Sequence, residues 1–377
     1  MALFKFFCKI YVAMAFILYP SFPNAEAKQT LDQPAIFPSK ALTQTFELTN
    51  ILPNHIAISP DKRLFIIPFL HTTPTLQLAT LNNQNQLVPY PDLQWNTYRP
   101  NQNHSAFIQL TGMTLEDDRF LWVLDNGIMN TGHADPSNRA KLIKIDLIRN
   151  KIIYIYVIPH DVIKKKTFLN TIVVHRNYVY LADKGEPAII VVNLKTNQAR
   201  RLLENSSTLY SRRPIIVNNI LVRSNSDENS QYNINQLALS PNGKTLYYQA
   251  MSGPLYRIDT NVLNDTTYTA TELNEAMTLW LDTPTSGGIT CGPDESLYFN
   301  DIATNSIYRF TTQRILTKLI MDPRLKWSTY PFITKENILY VATLPFNPAT
   351  TFISKKPTSV FPAIYVYKLN LSTILSP

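Results

Sequence analysis

Residues 234–259 read INQLALSPNGKTLYYQAMSGPLYRID, three short apolar runs separated by two tight turns. Ser240-Pro241-Asn242-Gly243 makes the first turn, with Pro presetting φ and Asn-Gly accepting a positive φ. Ser252-Gly253 makes the second, and the runs between suit a pleated, half-buried surface. Three strands joined this way form an up-and-down meander, which cannot bury both of its faces alone. The chain must supply more units of the same kind. An aromatic following an apolar residue recurs at Leu64-Phe65, Leu121-Trp122, Val179-Tyr180, Leu246-Tyr247, Leu297-Tyr298 and Leu339-Tyr340, at intervals of 57, 58, 67, 51 and 42 residues.

The flanking strands recur with it. Residues 55–61, 111–117, 170–175, 236–242, 288–294 and 331–336 precede the aligned aromatic, and residues 140–146, 188–193, 254–259, 306–311 and 363–369 follow it. Residues 89–103, 205–214 and 346–357, rich in Pro, Asn and Thr, read as connections between units. Six such units predict an all-β fold, a six-bladed β-propeller, because a closed ring leaves only short, protected edges. The lead-in offers one further strand at 45–48, and closure of the ring through it is an open alternative.

The N terminus has the layout of an export signal. Lys5 and Lys9 precede an apolar run at 10–19, and Ala25-Glu26-Ala27 fits a small-x-small cleavage site. Cleavage near Ala27 would leave 28–377 as one propeller domain, secreted or periplasmic and expected to be a monomer. The run falls short of the ~20 apolar residues a membrane span needs, so no stable membrane insertion is expected. Of the two cysteines, Cys8 lies in the signal, and Cys291 sits in an apolar strand pattern that suits a buried, inert thiol. The formal charge is +8, but the basic clusters at 164–166, 200–201, 212–213 and 355–356 are short and scattered. They read as solvated surface, and no nucleic-acid partner is expected.

Several segments together carry a family likeness. These are Arg119-Phe120-Leu121-Trp122-Val123-Leu124-Asp125-Asn126-Gly127, Ala140-Lys141-Leu142-Ile143-Lys144-Ile145-Asp146-Leu147, Phe168-Leu169-Asn170 and Asp322-Pro323-Arg324-Leu325-Lys326-Trp327. With Leu246-Tyr247-Tyr248 and Leu255-Tyr256 they fall in order, and across about residues 105–345 the chain resembles the major royal jelly protein/yellow family. The resemblance implies a secreted six-bladed propeller whose central channel holds a small ligand. Members are described as binding biogenic amines or acting on dopachrome. This chain lacks the cysteine pairs of the animal proteins, and Ile307-Tyr308-Arg309 stands where they carry a tryptophan-asparagine.

Two groups of residues are candidates for ligand binding. The inner strands of a propeller begin near its axis, which puts Asn54, His55, Asn170, Asn235, Gln236 and Tyr330 at the channel. Asp125, Asp183 and Asp301 each follow the aligned aromatic by three residues, so Asp125-Asn126 and Asn300-Asp301 are placed to meet an amine or a cation at one mouth. The structural alternatives are amides that bond one another and aspartates that cap the next turn. No resident cofactor or metal is expected. A divalent cation such as calcium is the alternative occupant, by analogy with gluconolactonase-type propellers, with Asn170 and Asn235 as amide ligands. No inner-strand carboxylate accompanies them, and a hard cation prefers one. Nothing matches a Gly-x-Ser-x-Gly elbow, a His-x-x-x-His pair or a phosphate-binding loop, so no catalytic residue is assigned. The leading expectation is a binding protein for a small organic molecule, an aromatic or biogenic amine among the choices. A metal-dependent lactonase and a surface or host-interaction module are the alternatives.

Overall fold

A computed structural model describes residues 39–69, 76–99, 104–128, 139–217, 220–222, 233–344 and 363–375. The signal at 1–27 and the connection at 346–357 lie outside the described residues. Six four-stranded antiparallel sheets form the blades of a propeller. From the axis outward the first is Pro53–Ile58, Leu64–Pro68, Ala79–Leu81 and Leu87–Pro89, and the second is Leu110–Glu116, Phe120–Asp125, Lys141–Asp146 and Lys151–Val157. The third is Leu169–His175, Tyr178–Asp183, Ala188–Asn193 and Gln198–Leu202, and the fourth Ile234–Leu239, Thr245–Ala250, Leu255–Asp259 and Thr278–Leu281. Ser286–Cys291, Leu297–Asp301, Ser306–Phe310 and Leu316–Met321 make the fifth. Each blade thus carries a fourth, outer strand beyond the three that the repeat predicts.

The sixth blade closes the ring. Phe332–Ile333, Ile338–Ala342 and Ile364–Asn370 come from the end of the chain, and Leu42–Leu48 from its beginning supplies the outer strand. Leu48 pairs with Ile364 and Leu42 with Leu369. The Asp322 carboxylate takes the Ser39 N–H at 2.7 Å, and Arg324 bonds the Ser39 and Leu42 carbonyls, so the incoming strand is latched from the fifth-to-sixth connection.

The core is divided among the blade interfaces. Among the described residues, each pair of neighbouring blades shares one apolar cluster. The repeated aromatic of each unit lies in the interface with the following blade: Phe65, Trp122, Tyr180, Tyr247, Tyr298 and Tyr340. Each is at most 7% exposed, so one periodic residue supplies a large buried surface to every joint. The first hairpin of each blade turns through a residue of positive φ: Lys62, Asp117, Arg176, Gly243, Glu295 and Asn337 among them. These turns define one end of the axis, the turn end. The inner strands begin at the other, the entry end. Among the described residues no helix is long and apolar enough to cross a membrane.

Candidate functional site

Five of the six inner strands are interrupted near their first residues. The pairing register slips at Asn54, Thr111, Asn170, Asn235 and the Gly287-Gly288 pair. A bulge leaves one residue unpaired and re-aims its side chain, which is how a strand edge delivers a polar group to an axis. At Gly288 the close approach is explicit: a Cβ would lie 2.6 Å from the Tyr330 Cα.

Of these positions, Asn170, Asn235 and Gly288 meet at Tyr330. Asn170 Nδ2 donates to the Tyr330 hydroxyl at 2.9 Å, and that hydroxyl donates to the Asn235 carbonyl at 2.6 Å. The Thr171 hydroxyl also donates to the Asn235 carbonyl. Tyr330 stacks on His55, with ring centroids 4.0 Å apart and planes 18° from parallel. Burial pushes the Tyr330 phenol up to about 12 against the hydrogen bonds of Thr171 and Asn170, so it stays protonated. Burial, helped by the charge of Lys184, brings His55 down to about 3 against the pull of its hydrogen bond with the Thr111 backbone. The imidazole is therefore neutral at physiological pH.

On the turn side of this pair the axis is hollow. A cavity of about 770 Å³ runs from His55, Thr171 and Tyr330 to the first-hairpin turns, and every blade contributes to its wall. Ile56, Met113, Ile172, Leu237, Ile289 and Phe332 represent the six blades on it. Exposed Lys62, Asp117, Lys335 and Glu336 rim the mouth. Cys291 stands on the wall. Burial, with Asp294 and Glu295 nearby, pushes its thiol up to about 12, so it is a poor nucleophile. A volume between ~300 and ~1,000 Å³ with a mostly apolar lining is what small-molecule sites offer.

On the entry side the axis is filled. Gln236 donates to the Ser286 carbonyl at 2.6 Å and accepts from Gln249, tying blade four to blade five. Asn300 donates to the Ser328 and Thr329 carbonyls at 2.9 and 2.7 Å, tying blade five to blade six. Asn126 accepts the Leu169 N–H at 2.9 Å, joining blade two to blade three. Asp125 takes the N–H groups of Ile108, Gln109 and Gly127 and pairs with buried Lys141 at 3.0 Å. Asp183 takes three N–H groups and Arg201, while Asp301 caps Ala303 and Thr304. A hairpin of Ile216–Val217 and Ile220–Leu221 continues the cover, with Ile215, Val217 and Val222 packed on Ile302.

Of the residues that the sequence singles out, the structure therefore brings His55 and Tyr330 to the cavity. Asn170 and Asn235 stand behind Tyr330, and Asn54 is half-buried at its bulge. Gln236, Asn126, Asn300, Asp125 and Asp301 serve blade-to-blade joints and turn caps at the entry end. The aliphatic wall was not among the candidates. Its only sequence signal is that the inner strands stay apolar although they border an open axis.

Comparison with known proteins follows the fold. The sequence pattern of the family described as "Major royal jelly protein" matches residues 115–322, more than half of the chain. Major royal jelly protein 9 of Apis mellifera is 31% identical over 177 residues, a match covering 44% of this chain and 39% of that relative's length. Among solved structures, a calcium-binding regucalcin of Agrobacterium tumefaciens is similar with a TM-score of 0.49 at 13% identity, over 86% of this chain and 93% of that one. A virginiamycin B lyase of Staphylococcus aureus with quinupristin gives 0.48 at 16% identity, over 88% and 99%. A gluconolactonase of Xanthomonas campestris gives 0.48 at 9%, over 89% and 97%.

Proposed function

The chain belongs to the major royal jelly protein family, and on that premise we propose that it is an exported, monomeric binding protein for a small organic ligand with an aromatic body. The observation that carries this is the axial cavity: about 770 Å³, walled by aliphatic side chains from all six blades and floored by the stacked His55–Tyr330 pair. Such a floor receives an aromatic ring face or edge, and the aliphatic wall rewards apolar surface withdrawn from water. An amino group on the ligand's outer end would meet the rim carboxylates Asp117 and Glu336. Binding, rather than a reaction, is what the residues favour. The imidazole is too weak a base at about 3 and the thiol too weak an acid at about 12 to move protons near neutrality.

The lactonase alternative asks for a cation held by amides and a carboxylate on the axis. Here, among the described residues, no carboxylate accompanies the Asn170 and Asn235 amides, because Asp125, Asp183 and Asp301 are engaged with backbone N–H groups at the entry end.

Calorimetric titration of the purified chain with neutral aromatics and aromatic amines, with and without calcium, tests the reading. Binding without metal, weakened at least tenfold by Val174→Trp on the cavity wall, is the expected result. Affinity untouched by that substitution would move the site elsewhere, and calcium-dependent lactone cleavage would replace binding by hydrolysis.

A further inference from the structure

At the turn end of the axis the sixth blade differs from the other five. Its inner strand is two residues long, Phe332–Ile333, where the others run six or seven. It pairs through Phe332 with Tyr340 and Ile333 with Leu339. So short a ladder does little to fix the hairpin tip, and its remaining contacts decide where the tip lies. The Lys335 ammonium, in that tip, meets the Asp118 carboxylate at 2.8 Å. Asp118 belongs to the first-hairpin turn of blade two, and blade one stands between blades six and two in the ring. The ion pair therefore skips a blade, and both of its members line the mouth of the cavity. Asp117 and Asp118 both have positive φ, as the central residues of a type I′ turn do, so a tight hairpin presents the carboxylate. Behind the pair, Phe332 lines the cavity and packs on the apolar cluster of blades one and two as well as on that of blades six and one. Both contacts lean the sixth-blade hairpin toward blade two. The Asp118 hydrogen bond, with Asp117 and Glu336 nearby, holds the Lys335 ammonium above its ordinary range, so it is charged at neutral pH.

We propose that the hairpin at 332–338 is a gate on the axial cavity and that the Lys335–Asp118 ion pair is its latch, setting how fast molecules pass between solvent and the axis. The latch belongs to the mouth whatever the cavity takes; its use in admitting and retaining a ligand rests on the reading of the cavity as a ligand site. The two side chains are 65% and 34% exposed, and an exposed ion pair contributes little free energy, so this latch governs a rate and does not seal the site. The same exposure leaves it open to screening by salt.

Cys291, on the cavity wall, reports passage without any ligand. The full chain is treated with methyl methanethiosulfonate or its bulkier benzyl counterpart, and mass spectrometry follows labelling at Cys291. Lys335→Gln and Asp118→Asn should each speed the benzyl reagent about three- to fivefold, and the methyl reagent less. Salt at about 1 M should speed the unaltered chain and leave both variants unmoved. Exchanging the charges, Lys335→Asp together with Asp118→Lys, should restore slow labelling. Rates unchanged in both single variants would overturn the latch and leave the cavity reading standing. Equal acceleration of the two reagents, with lower stability in urea, would mean a loosened fold in place of a gate and would overturn it too. Silence at Cys291 in every folded form would close this route and overturn the gate, leaving the ligand titrations to judge the cavity.

Discussion

Around the entry end of the axis, Gln236, Asn300 and Asn126 each reach into a neighbouring blade, and Asp125, Asp183 and Asp301 hold the chain as it enters or turns. Around the turn end, Leu115, Val174 and Leu239 border open space and the polar residues stand at the rim. The same six strands make both ends. The difference lies in their first residues, where bulges at Asn170 and Asn235 let the Asn170 amide and the Thr171 and Tyr330 hydroxyls gather on the Asn235 carbonyl. A ring of short strands needs its joints tied somewhere, and tying one end leaves the other free to hold a ligand.

The sharpest way to break this contrast is at the entry end. Asp125→Ala strands the buried Lys141 ammonium and three N–H groups, and should cost about 3–5 kcal/mol in urea unfolding. A loss below about 1 kcal/mol would mean that this end is not the structural one.

Acid should separate the two ends next. The folded-state pKa of His55, about 3, lies below its ordinary 6.5, so the unfolded chain binds the extra proton. Stability present above pH 6.5 therefore declines as pH falls toward 3, by up to about 1.4 kcal/mol per pH unit from this group. His55→Phe should flatten that part of the profile by the same slope. An unchanged profile would show that the ring takes up its proton without unfolding.

A smaller effect is expected where the ends meet. Tyr330→Phe removes a hydroxyl that accepts from Asn170 and donates to Asn235, and should cost about 1 kcal/mol in thermal or urea unfolding while keeping the ring on His55. The smallest change belongs to the turn end. Leu239→Ala should cost about 1 kcal/mol or less, against the about 2–5 kcal/mol of a Leu→Ala change in a packed core, because its side chain is half-buried at the cavity. A full core penalty there would show the cavity wall to be tightly packed.

Much of the ring was legible because the aligned aromatics mark a joint that every blade must fill. The fourth strands were not. QARRL at Gln198–Leu202 and LTKLIM at Leu316–Met321 lie at outer edges, where one flank has no neighbour and the apolar alternation fades. Of the candidate site, the position of Asn54, Asn170, Asn235 and Tyr330 at strand starts could be read, but not which of them face a cavity. An amide beside an axis looks the same in sequence whether its partner is a ligand, a tyrosine or the next blade's carbonyl.

Taken alone, the sequence determined the repeat, the number of blades and the family, since each rests on local strand pattern and on motifs contiguous in the chain. Tertiary structure decided the closure by Leu42–Leu48, the filling of one end of the axis and the hollow at the other. Those depend on partners as far apart as Asn170 and Tyr330, 160 residues along the chain, and a hydrogen bond between distant residues leaves no periodic trace in either of them.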